Sequence, residues 1–166
     1  MGTWVTYLML TAGAVGGLWI AWQDFRDREI SVLAFFLLGL AGLGFQLGES
    51  SSRWWMNALV NLILIFILVG LAYAYAKLRR KGAFFDRQLG WGDVVMFVCL
   101  GLWFPPLVFI AFFTLSTLIT LFFALAYLQL SSAQKTLPIP LAGAMALGFV
   151  CALPFYSLWT DPWLWL

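Results

Sequence analysis

WMNALVNLILIFILVGLAYAYA, residues 55–76, contains no Asp, Glu, Lys or Arg. A run of about 20 apolar residues makes a helix as long as the hydrocarbon core of a bilayer is thick. Within that core the backbone has no water to bond, and a helix satisfies every N–H and C=O inside one segment. Working outward, comparable apolar runs occupy 3–22, 30–47, 107–130 and 137–159, with a shorter one at 91–103. Pro105-Pro106 ends the shorter run, which is brief for a straight crossing. The composition is 64% hydrophobic and 10% charged, with a mean hydropathy of +0.97, and it leaves a membrane as the only fitting solvent. The sequence therefore predicts an all-α fold, a polytopic membrane helix bundle of about six transmembrane helices in one domain covering 1–166. It shows no internal repeat and no low-complexity segment.

Alternate loops fall on alternate sides of such a bundle. Eight of the nine Lys and Arg residues (Arg26, Arg28, Lys77, Arg79, Arg80, Lys81, Arg87 and Lys135) land on one side, and Arg53 alone lands on the other. By the positive-inside rule the first side is cytoplasmic and both termini are extracytoplasmic. No Lys or Arg precedes Asp24, so the first run reads as a retained span and not as a cleaved signal peptide. Trp54, Trp55, Trp103, Trp159, Trp163 and Trp165 fall near the outer boundary, where an aromatic belt is expected. The basic residues are accounted for by topology, so a net charge of +2 carries no sign of a nucleic-acid partner. The partner dictated by composition is the lipid bilayer.

The inventory narrows the chemistry. Histidine is absent, which removes Ser-His-Asp and Cys-His nucleophile systems and His-ligated metal. Cys99 and Cys151 lie in apolar runs without metal-ligand spacing and read as small residues of the helix bundle. Gly13 and Gly17, and Gly39, Gly42 and Gly44, mark faces where helices approach closely, while Asn57 and Asn61, one turn apart, suit hydrogen bonds between helices. Acid–base work is left to carboxylates, lysine or tyrosine.

Two carboxylates stand out by position. Asp24 directly follows the first apolar run, in the charged loop 23–29, and Asp93 lies just inside the start of the run at 91–103, so both fall at the cytoplasmic boundary. Taken singly, Asp24 reads equally as one more loop charge, and Asp93 as a carboxylate satisfied by free N–H groups at a helix start. Gly90 and Gly92 flank Trp91 just before Asp93 and would let an extended substrate backbone come close to it. Two nearby carboxylates cannot both ionise freely, so one keeps a proton while the other stays charged. The charged one can deprotonate an attacking water, and the protonated one can assist the oxyanion and the leaving amine.

Gly90-Trp91-Gly92-Asp93 resembles the GxGD motif of intramembrane aspartic peptidases. Asp24-Phe25-Arg26-Asp27-Arg28-Glu29-Ile30 is similar to the first-aspartate segment of type IV prepilin peptidases, and Leu137-Pro138-Ile139-Pro140-Leu141-Ala142 to their proline-containing entry into the last helix. Ser31 stands where that family usually has proline, and Val95 where a lysine commonly follows the second aspartate. Presenilin-like GxGD enzymes have more spans and a Tyr-Asp pair, whereas this chain has Gln23-Asp24.

The resemblance implies a six-helix multi-pass protein of the bacterial inner membrane. It implies that Asp24 and Asp93 are the catalytic pair and that prepilin or pseudopilin proteins are substrates, cut at their short basic leader on the cytoplasmic side. It implies no metal and no organic cofactor. Larger members carry a cysteine-rich region tied to N-methylation; this chain does not contain it, and no methyltransferase activity is expected. Asp27, Glu29 and Asp86 place negative charge beside the expected site, where a basic leader would meet it; paired loop charges are the plainer reading of each. The alternative function is a non-catalytic membrane subunit or small transporter whose aspartates are structural.

Overall fold

A computed structural model of the chain describes residues 3–48, 54–78, 90–130 and 141–156. Arg53, Arg79, Arg80, Lys81, Asp86, Arg87, Lys135, Trp159, Trp163 and Trp165 lie outside them, as do both termini. The described residues form six α-helices: α1 (Thr3–Arg26), α2 (Val32–Gly48), α3 (Trp54–Leu78), α4 (Trp91–Gly101), α5 (Pro106–Leu130) and α6 (Leu141–Ala152), the last continued by a 3₁₀ turn at Leu153–Phe155. Helices α1, α3 and α5 are long and apolar enough to cross a membrane, and α2, α4 and α6 are shorter apolar helices. The all-helical expectation holds among the described residues.

The surface is that of a protein in lipid. Phe66, Phe122 and Phe123 are each at least two-thirds exposed, and large apolar side chains cover the outer faces of α3 and α5. Water would not tolerate so continuous an apolar surface, whereas lipid tails cover it without penalty. In that solvent, helices associate through close packing and hydrogen bonds, because there is no hydrophobic drive between them. Helix α1 packs most extensively on α2 and α6, and α4 sits centrally against α2, α3, α5 and α6.

Helix α4 has 11 residues, so it rises about 16 Å and ends inside the bundle. The carbonyls at a helix end need partners, and lipid offers none. Here the Asn61 Nδ2 donates to both Gly101 O and Phe104 O at 2.8 Å, and the Gln46 Nε2 donates to Trp103 O at 3.2 Å. The chain then turns, and α5 starts with Pro106 at the first helical position, where a missing N–H costs nothing. Asn61 thus bonds between helices as expected. Asn57 is also buried, but neither atom of its amide is paired.

Trp103 corrects a sequence expectation. It is fully buried in the core and not part of an aromatic belt. Its ring stacks on Phe45 with centroids 5.3 Å apart and meets Phe149 edge-on at 4.9 Å, while its Nε1 donates to Leu38 O at 3.0 Å. The slot exists because Gly13 and Gly42 lack side chains: a Cβ on Gly42 would lie 2.8 Å from the indole, and one on Gly13 would overlap it. Cys99 is a small core residue as expected, whereas Cys151 is exposed on the outer face.

Candidate active site

The site is assembled where the C-terminus of α1 meets the N-termini of α4 and α6. Helix α1 runs on to Arg26, so Asp24 sits on its last turn and not in the loop that hydropathy suggested. The turn beyond is built on Gln23, whose carbonyl accepts the N–H groups of Asp27 at 2.8 Å and Arg28 at 3.0 Å. Arg28 takes φ 57°, the left-handed conformation that commonly ends a helix. The Gln23 side chain reaches further and accepts the Ser31 N–H at 2.9 Å. Ser31 caps α2, its Oγ accepting the Ala34 N–H at 3.4 Å. A proline at 31 would have no N–H for Gln23, so this departure from the family pattern has a structural counterpart.

Asp93 occupies the third position of α4. Its Oδ2 accepts the Gly90 N–H at 3.2 Å, half of the reciprocal arrangement that caps helix starts. Its Oδ1 accepts the Ala142 N–H at 3.0 Å, and the next amide along, that of Gly143, donates to Asp24 Oδ2 at 2.5 Å. Two successive amides in the first turn of α6 therefore hold one carboxylate each. The free N–H groups at a helix start are suited to negative charge, and here the starts of both α4 and α6 point theirs at the pair. Asp24 is 9% exposed and Asp93 partly buried, and Asp93 lies within the electrostatic reach of the Asp24 charge. Arg28 is the cation acting on Asp24.

The remaining candidates sit around this pair. Gly90 is exposed, with extended backbone (φ −72°, ψ 147°), and the direction a side chain would take leads to its own Asp93. A side chain on Gly92 would point at Ile30 and Phe35, at ordinary contact distance. Asp27 and Glu29 are exposed in the turn after α1, and Asp27 pairs loosely with Arg26 at 3.6 Å. Sequence reasoning missed Gln23, Ala142 and Gly143. The segment ending at Ala142 is marked in the sequence by its prolines, but a backbone amide leaves no side-chain signal of what it binds.

A pair of carboxylates held at one end of a helical bundle, one buried and one partly buried, is suited to general acid–base hydrolysis. Among the described residues no cluster of His, Cys, Asp or Glu has the make-up of a metal site. Searches of curated proteins and of solved structures return no match. Residues 9–125, which carry both Asp24 and Asp93, match the model of the type IV leader peptidase family, and the chain belongs to that family.

Proposed function

We propose that this membrane protein is an intramembrane aspartic endopeptidase that removes the short basic leader of type IV prepilin-like or pseudopilin-like proteins, with Asp24 and Asp93 as its catalytic pair. Membership of the leader peptidase family supports a peptidase. The observation that carries the aspartic assignment is the pair of neighbouring α6 amides, Ala142 and Gly143, each bonded to one of the two carboxylates.

The chemistry follows from that proximity. With one proton between them, the ionised carboxylate takes a proton from water as its oxygen bonds to the scissile carbonyl carbon. The protonated partner donates to the developing oxyanion. Collapse of the tetrahedral intermediate breaks the C–N bond; the proton gained by the first carboxylate passes to the leaving amine, and the hydroxyl that becomes the product carbonyl returns its proton to the second carboxylate. The two groups titrate as a unit, so the roles belong to the pair.

In this reading the six helices form one multi-pass domain of the bacterial inner membrane, with the Asp24–Asp93 end cytoplasmic. A prepilin places its basic leader in the cytoplasm and its apolar helix in the lipid, which brings the scissile bond to the same boundary. The exposed carboxylates of Asp27 and Glu29 attract the leader, and the extended backbone at Gly90 receives the bond. Co-expression with a panel of prepilins tests the reading. Leader removal seen as a gel shift with the wild type, and lost in both Asp24→Asn and Asp93→Asn at equal membrane levels, is the expected result. Processing that survives either substitution overturns it.

A further inference from the structure

We propose that Gly143 is a positioning residue of the aspartate pair, an inference that rests on reading Asp24 and Asp93 as catalytic. Asp24 and Gly143 are 119 positions apart in the chain, and their contact fixes the last turn of α1 against the first turn of α6. The approach is closer than any side chain allows. A Cβ on Gly143 would lie 2.9 Å from Asp24 Oδ2, 3.1 Å from Asp24 Cβ and 3.2 Å from Phe25 Cε2. The first of these is shorter than real Cβ contacts, and the other two press on the same turn of α1. Even alanine at 143 therefore moves Asp24 away from α6. Asp93 stays in place, because it is held independently by Gly90 and Ala142.

The consequence is specific to the relation between the two carboxylates. Adjacent amides of one rigid helical turn set their spacing in the wild type, and a shift at one amide changes that spacing without touching either carboxylate chemically. Geometry of this kind governs the chemical step: a misplacement of about 1 Å can cost on the order of 100-fold in rate. The proposed substrate-binding residues Asp27, Glu29 and Gly90 are exposed and are not among the nearest contacts of a Cβ at Gly143. The effect belongs in kcat and not in KM.

Gly148 supplies the control. It lies on the same helix, and a Cβ there would meet Ser116 Oγ at 3.4 Å and Phe112 at 3.6 Å, which are ordinary contacts. Gly143→Ala and Gly148→Ala make the same chemical change with the same gain in helix propensity.

The experiment uses the full chain in lipid nanodiscs with a prepilin peptide. Gly143→Ala is expected to lower kcat roughly 10- to 100-fold with KM unchanged and to shift the limbs of the pH–rate profile, whereas Gly148→Ala retains wild-type kinetics. A second readout needs no turnover. With glycine and alanine nitrogens and aspartate carboxyl carbons isotopically labelled, solid-state NMR of the wild type should show short contacts from Gly143 to Asp24 and from Gly90 to Asp93. In Gly143→Ala the nitrogen at position 143 stays labelled, and its contact to Asp24 should vanish while the one from Gly90 to Asp93 persists. Wild-type kcat in Gly143→Ala, or no Gly143–Asp24 contact in the wild type, overturns the proposal. If the wild type cuts nothing while the Gly143–Asp24 contact is present, the peptidase reading fails and the clamp itself stands.

Discussion

The backbone N–H of Gly143 donates to the Asp24 carboxylate at 2.5 Å while its neighbour Ala142 donates to Asp93, so a single helical turn holds both acids of the pair. The bundle has two polar clusters with different duties. One gathers the carboxylates, and the other, buried inside the bundle, anchors the C-terminus of the short central helix α4.

The anchor gives the first prediction. Asn61→Leu removes both hydrogen bonds that the Asn61 amide gives to Gly101 O and Phe104 O within the bundle and should destabilise the protein by about 2 kcal/mol. Asn57→Leu removes two amide atoms that are buried and unpaired, and should be neutral or stabilising. Reversible unfolding of both variants in lipid or mild detergent checks the contrast; similar losses in the two would contradict it.

A second prediction concerns the tryptophan slot. Gly42→Val drives a branched side chain into the Trp103 indole, forces the ring away from its bond to Leu38 O, and should cost about 1 to 3 kcal/mol. Gly39→Ala, whose nearest contact would be Cys99 Sγ at 3.6 Å, should be tolerated. Thermal unfolding followed by circular dichroism compares the stability of both variants with the wild type.

These two residues also show what the sequence could reveal. Hydropathy placed the six helices well, because in lipid the length of an apolar run and the need to satisfy the backbone decide the element. It placed Asp93 correctly, since the Gly90-Trp91-Gly92-Asp93 stretch marks a helix start. It ended α1 too early, because Gln23-Asp24-Phe25-Arg26 is polar by composition, while the helix continues through it and is held by contacts to α6. Trp103 fitted a belt on spacing alone. Its burial depends on Gly13 and Gly42, far away in the chain, and such tertiary complementarity has no local signature. The amides of Ala142 and Gly143 were invisible for the same reason.

The turn after α1 gives a third prediction. Ser31→Ala removes the cap of α2 and should cost about 1 kcal/mol. Gln23→Ala removes the side-chain acceptor of the Ser31 N–H and should loosen the same turn by a similar amount. Hydrogen exchange at residues 27–34, faster in both variants, is the measurement.

As proposed, Asp24 and Asp93 together cut a peptide bond. Purified protein in lipid vesicles, given a prepilin and followed by mass spectrometry of the released leader, tests it most directly. One cut at the leader junction is expected from the wild type and none from Asp24→Asn or Asp93→Asn, each variant remaining folded. Release of the leader by either variant at a rate comparable with the wild type would contradict it.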